Sequence, residues 1–371
     1  MDTIRVGVAP YGAILCASIL VAAVATYVHR QIYPKPYPHI PYHKASAKKV
    51  FGDGPDMLAE VSETLYPDKF IFQQTTNLRS PVAQLFLRPF APPTVIIDDV
   101  LEVKDILSNR THEFDRAPRT QDAYRNLLPH CSLVKLTGPA FKAQRKSWEG
   151  VMGPPFLRQV AAPKIYKSVL GQLELLKTQA NVADGRPFDT FDNFDVAAFS
   201  LIWEIVFGTP ISAIDDLRLA TSEAAKTTRQ PSSKDSPAEL PVIRRPEMCR
   251  AVSYFISTIA KAIPSSFPRW HLWYLRQSPK YKATLTFKND TINGLIQKTW
   301  KNLATLSEPE LMQLEASSSI AVGVRRQLLD CIRRGQKPDL PVAARDEIHD
   351  ELFMLLVAVS TESHLIWLLM I

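Results

Sequence analysis

GPAFKAQRK, Gly138 to Lys146, is the stretch from which the fold of this chain is read. It opens a helix predicted over Gly138–Met152, in which Phe141 and Arg145 lie four residues apart and so share one face. An aromatic ring with a guanidinium one turn later can pack on a planar cofactor while the guanidinium pairs its carboxylate through a bidentate fork. The same spacing also suits a plain basic amphipathic helix, and this stretch alone leaves both readings open.

Outward from it, helical periodicity continues at Pro155–Gln179, Asn193–Phe207, Glu247–Ala262, Thr284–Leu303, Ala316–Arg334 and from Arg345 onward. Asp184 to Asp189 and Arg229 to Pro246 are polar, proline-punctuated connections. Towards the N-terminus, Val82–Leu87 and Thr94–Ile97 read as strands around the turn-forming run Arg88–Pro93, giving one hairpin of a small sheet. Asp99 is placed to cap a helix through Leu107, with Glu102 at the capping-box position. The fold class is therefore mainly α, an α-rich α+β body.

Composition narrows the function classes. The 371 residues, 46% of them hydrophobic, suffice for one large domain or two smaller ones. Only 13 glycines against 29 prolines argues against glycine-rich phosphate cradles and for helices broken by proline. A net charge of +7 suits an anionic membrane surface or an acidic protein partner, and no run of lysine and arginine is dense enough to imply nucleic acid. Cys16, Cys131, Cys249 and Cys331 are scattered with no CxxC pair, so neither a disulfide framework nor a structural zinc is expected. No nucleophile elbow, HExxH or P-loop occurs, and Gly52 to Pro55 reads as a turn. His112–Asp115 and His349–Glu351 set histidine beside carboxylates, a metal-ligand pattern that more often marks solvated surface charges. Trp270, Trp273 and Tyr274 suit either a membrane-interface belt or packing between helices.

Val6 to Val28 holds no charge for 23 residues, about 34 Å of helix against a bilayer core of roughly 30 Å. This predicts an uncleaved membrane anchor over residues 1–30 in contact with the lipid bilayer through residues 6–28. Arg30, Lys35, Lys44, Lys48 and Lys49 follow it and only Arg5 precedes it, which places the body on the cytosolic side. Pro34, Pro36, Pro38 and Pro41 make residues 31–50 a stiff, extended hinge.

The order of these parts resembles a microsomal, fungal-type cytochrome P-450: anchor, proline-rich hinge, hairpin, short helix, EFDRAP at Glu113–Pro118, GPAFKAQRK, FDVAAFSLIWEIVFG at Phe194–Gly208 and DEIHDELFMLLVA at Asp346–Ala358. Residues 51–358 are then the N-terminal part of a cytochrome P-450-like domain. The resemblance implies a haem-dependent monooxygenase in the endoplasmic reticulum membrane. Haem b is its implied cofactor, a small organic substrate its implied target, and NADPH-cytochrome P-450 reductase its implied electron donor. Phe141 stands where the family's W-x-x-x-R has tryptophan and Arg145 keeps the arginine, so both are expected on the haem propionate side. Lys142, Arg145 and Lys146 become candidates for the haem or reductase side. Pro118–His130 resembles the variable loop over the substrate, with Tyr124, Leu127 and Leu128 lining or covering a pocket.

Beyond Ala358 the resemblance fails. Where the family has L-V-A-G-x-D/E-T-T, this chain has Val359 for the glycine, Thr361 for the acid and Glu362 for the threonine. Val359-Ser360 can be encoded by a splice-donor sequence, so 359–371 reads as an atypical tail, either translated intron or the end of a pseudogene or a genuinely truncated product. The family's cysteine loop is not reached before Ile371, and none of the four cysteines has its glycine-containing context. The expectation is a chain truncated within the family, without a metal ligand or catalytic residues, inactive as an oxygenase and weak in haem binding. Its last helix, with Ile348, Leu352, Leu355 and Leu356, is expected to expose an apolar face. The rival reading is a non-catalytic, membrane-tethered helical binding protein.

Overall fold

The computed structural model describes residues 9–64, 67–226, 230–262, 267–336 and 340–368. They form two compact units, one ending at Phe114 and the other beginning at Asp115. The chain is mainly helical with one two-stranded sheet among the described residues.

The first unit contains α1 (Ala9–Ile32), α2 (Gly54–Thr64), α3 (Pro67–Leu78), β1 (Val82–Leu85), β2 (Thr94–Ile97) and α4 (Val100–Ser108). β1 and β2 pair antiparallel, Val82 opposite Ile97 and Leu85 opposite Thr94, the hairpin expected from the sequence. Phe70, Leu85 and Ile96 form the core beneath it. Asp99 caps α4, its Oδ1 accepting from the amides of Leu101 at 2.9 Å and Glu102 at 3.0 Å. The proline-rich stretch is fastened to the sheet: the buried Gln84 side chain accepts from Tyr37 N and donates to Tyr37 O and Ile40 O. Gly52 adopts φ +55°, and a Cβ there would meet Phe86 O at 2.2 Å, so the turn before α2 requires glycine.

The first eight residues of the chain lie outside the described ones, and so does part of the expected anchor. Among the described residues, no helix is long and apolar enough to cross a membrane. On α1 the side chains of Leu15, Ile19, Leu20, Val21 and Val24 are exposed.

The second unit contains α5 (Pro118–Arg125), α6 (Pro139–Met152), the single turn α7 (Pro154–Phe156), a π-helical stretch (Leu157–Ala161), α8 (Ala162–Ala183), α9 (Phe191–Phe207) and α10 (Ala213–Ala224). It continues with α11 (Glu247–Ala262), α12 (Pro268–Leu275), α13 (Pro279–Leu303), α14 (Glu308–Gln313), α15 (Ser319–Arg333) and α16 (Val342–Leu368). α16 is the axis of the core and packs against α9, α11, α13 and α15. Phe353 meets Phe255 of α11 edge-on at 6.0 Å, and Ile292 and Ile296 of α13 are fully buried in the same cluster.

This corrects the expectation of an exposed last helix. Ile348, Leu352 and Leu356 are 5%, 0% and 0% exposed, while Leu355 is only partly buried and lines a cleft. Each such burial contributes about 1.5–3 kcal/mol, and α9, α11 and α13 together cover the face. The backbone of α16 runs on through residue 368; the side chains from 359 and residues 369–371 of the expected tail lie outside the described ones.

Candidate functional site

α6 turns Gln144 and Trp148 inward and leaves Lys142, Arg145, Lys146 and Glu149 exposed. Trp148 seats against Gly323 of α15, where a Cβ would lie 2.9 Å from Trp148 Cη2. Phe141 is half-buried, and the Arg116 guanidinium stacks on its ring at 4.6 Å while donating to Lys135 O at 3.0 Å. Arg145 makes no hydrogen bond or ion pair among the described residues.

Phe141 and Arg145 border a cleft of about 620 Å³ together with Lys142, Lys146 and, from α16, Glu351 and Leu355. That is within the roughly 300–1,000 Å³ of small-molecule sites. The Glu351 carboxylate is engaged by protein donors: its Oε1 accepts from Ser132 N at 2.6 Å and from Gln144 Nε2 at 2.8 Å. Lys142, Arg145 and Lys146 outnumber the two lining carboxylates, Glu149 and Glu351, so the cleft has a small positive excess that suits an anionic ligand group.

His349–Glu351 is not a solvated charge cluster, and this is a second correction. The three residues are buried at 6%, 4% and 8%. Asp350 Oδ2 accepts from His130 N at 2.8 Å, and Gln144 Nε2 also reaches His130 O at 2.8 Å. Together Asp350 and Glu351 fasten the loop before α6 to α16, satisfying amides that burial would otherwise orphan. Burial holds the His349 imidazole below its ordinary value, opposed by Asp350. His112 is exposed beside Glu113, and among the described residues no group of three potential ligands is placed to hold a metal.

The three expected pocket residues do not share one cavity. Leu127 lines a separate pocket of about 270 Å³ with Lys288, His349 and Asp350. Leu128 is wholly buried in the core, and Tyr124 packs half-buried against it, its hydroxyl pKa raised by burial. Sequence reading missed Arg116 and Lys288. EFDRAP signals the former only through its position in the motif order; a lysine inside an amphipathic helix gives no sign that it points inward.

The cleft fits one edge of a haem and not its iron. Arg145 and the lysines offer donors for propionates, and Phe141 and Leu355 offer apolar surface. No cysteine lines the cleft. Cys131 is fully buried, its thiol pushed up to about 12 by burial and then by the Glu351 charge. Cys249 is likewise held at about 12 by burial and then by Asp195, Cys331 is buried in α15, and Cys16 lies on α1 of the first unit. None presents a thiolate where the cleft opens.

Fold and cleft thus define a mainly helical protein with a cleft of small-molecule size lined by Phe141, Leu355, three cations and two carboxylates. No family model matches the chain. A cytochrome P-450 monooxygenase of Pestalotiopsis microspora is 30% identical over 341 residues, 91% of this chain and 58% of the relative. One of Fusarium sporotrichioides is 28% identical, over 77% of this chain and 50% of the relative, and one of Penicillium rubens is 30% identical over 51% and 32%. The chain is a homologue of the fungal cytochrome P-450 monooxygenases, a family of oxidoreductases that use haem iron. It spans about half the length of the first two of these relatives.

Proposed function

We propose that the chain forms the propionate-binding part of a haem-dependent monooxygenase that inserts one oxygen atom from O2 into a small organic, secondary-metabolite substrate. The observation that carries this is the unpaired Arg145 beside Phe141, on a cleft closed by α16. When bound, haem iron held by a thiolate would supply electron donation that favours cleavage of the O–O bond. Arg145 would donate to a propionate and Phe141 and Leu355 would keep water from the ring, while the ties of Glu351 to Ser132 and Gln144 fix the loop at the cleft. The exposed cations Lys142, Arg145 and Lys146 also suit docking of an acidic reductase, with salt-sensitive association.

Because no cysteine lines the cleft, the 371-residue polypeptide on its own is proposed to bind haem weakly and to be inactive as an oxygenase. Haemin titrated into the purified chain is expected to bind weakly, and Arg145→Ala to lose about 1.5–3 kcal/mol of that binding, roughly tenfold or more in Kd. Carbon monoxide added to the reduced complex is expected to give no thiolate-type band. Such a band would overturn the inactivity, and an Arg145→Ala variant binding as tightly as the parent would overturn the cleft assignment.

We further propose that residues 6–28 anchor the protein in the endoplasmic reticulum membrane by a single pass, with the body in the cytosol. Support comes from the exposed apolar side chains of α1 and the uncharged stretch that continues N-terminal to the described residues. On α12, Trp270, Trp273 and Tyr274 are 71%, 58% and 72% exposed rather than packed between helices. We assign them to the interfacial layer of a bilayer, where amphipathic rings are favoured.

A further inference from the structure

Where α13 meets α16 the fold buries a lysine. Lys288 is 1% exposed, yet among the described residues it has no ion pair and no hydrogen bond; its Nζ sits 4.7 Å above the Phe353 ring centroid. It lines the pocket of about 270 Å³ that also holds Leu127, Pro129, Leu285, His349 and Asp350. Asp350 does not neutralise it by hydrogen bonding, since its two oxygens face His130 N at 2.8 Å and His349 Nδ1 at 3.0 Å. With Nδ1 assigned as the protonated nitrogen by that contact, His349 Nε2 is left a buried acceptor without a partner. Asn293 Oδ1, from another residue of the same pocket, is also buried and unpartnered.

We propose that this pocket captures a small aldehyde or ketone covalently, with Lys288 as the nucleophile and His349 as the proton carrier. The ammonium passes a proton to His349 Nε2, and the free amine adds to the carbonyl carbon, forming the C–N bond while the C=O π pair moves to oxygen. His349 then returns that proton to the oxygen, takes a second one from the carbinolamine nitrogen and delivers it to the hydroxyl. The oxygen leaves as water as the nitrogen lone pair closes the C=N bond, so two of the three ammonium hydrogens end on water and the third stays on the nitrogen of a protonated imine. No oxidant or reductant is consumed.

The chemistry of the lining selects this ligand class. Asp346 and Asp350 on the same wall disfavour an anion, and among the described residues no three-ligand group offers a metal site. Leu127, Pro129 and Leu285 match a hydrocarbon body, and Asn293 Oδ1 can accept from the carbinolamine hydroxyl. Burial lowers the Lys288 ammonium to about 8, opposed by Asp350, so the reactive free amine is accessible near neutral pH where surface lysines stay charged. This pocket shares no lining residue with the cleft beside α6 and does not rest on the haem reading.

The test uses the intact 371-residue chain, benzaldehyde as the carbonyl probe and cyanoborohydride to trap the imine, with peptide mapping by mass spectrometry. Lys288 is expected to label at least tenfold faster than the exposed Lys282 and Lys298 on the same helix. The rate should rise with pH through about 8, in a pocket whose other titratable groups are His130, Asp346, His349 and Asp350. His349→Ala is expected to slow Lys288 labelling severalfold with an unchanged circular dichroism spectrum, and Lys288→Met to remove the fast phase. Labelling of Lys288 no faster than of Lys282 and Lys298, the result for a pocket holding only water, would overturn the proposal. So would labelling that appears only after denaturation.

Discussion

Lys288 gives the molecule a pH dependence whose sign is fixed by burial. Its ammonium is lowered to about 8 in the fold against 10.5 for an exposed lysine, so between these values the unfolded chain binds a proton that the folded chain does not. Stability from this group is therefore depressed below about pH 8 and recovered as pH rises towards 10.5. Lys288→Met keeps an unbranched side chain one atom shorter and removes the charge. It is expected to be more stable than the parent at pH 7 by about 1–3 kcal/mol, the difference vanishing near pH 10.5. Urea unfolding at a series of pH values measures this; a variant less stable at pH 7 would mean that the contact with Phe353 outweighs the desolvation of the ammonium. His349 works in the same direction at lower pH. Its imidazole is lowered by burial, so the stability it permits above 6.5 is lost as pH falls through its folded value.

At the scale of elements, side-chain caps and buried carboxylates hold the local structure around the cleft and the sheet. Asp99→Ala removes the acceptor for two amides of α4 and is expected to cost about 1 kcal/mol in chemical denaturation. Glu351→Ala orphans Ser132 N and one bond of Gln144 and is expected to cost more, about 2–4 kcal/mol. Combining it with Gln144→Ala should then cost less than the sum of the two single changes, by about 1 kcal/mol, because both remove the same contact. These two sites differ in how far sequence reveals them. Asp99 acts on amides two and three residues away, and its role, the hairpin before it and α11 at Glu247–Ala262 all follow from local rules. Glu351 acts on a loop more than two hundred residues away, so a run of charges gave no sign that it was buried. Proline misled in a related manner. α5, α12 and α13 each begin with a proline at a position that needs no amide donor, so a residue read as a breaker instead starts helices. The apolar face of α16 was legible, but its cover comes from α9, α11 and α13, and pairing between distant helices is not written in periodicity.

For the whole molecule, two physically different attractions to a membrane can be separated. The +7 charge draws the chain to anionic lipid through a screened interaction, whereas exposed apolar side chains on α1 and aromatic ones on α12 act through burial that salt does not weaken. The discriminating condition is about 1 M salt, where the Debye length falls to about 3 Å. On uncharged phosphatidylcholine vesicles the full chain is expected to float at that salt concentration. A variant lacking residues 1–32 is expected to lose most of this binding. What remains should depend on α12 and fall severalfold on replacing Trp270 and Trp273 by serine, since each ring removed from the interface forfeits apolar contact and the polar edge that anchors it. If the shortened variant floats as completely as the full chain, α1 is not the anchor and the aromatic face of α12 carries the attachment. If both float only on anionic vesicles at low salt, the attraction is the net charge alone and neither helix enters the bilayer.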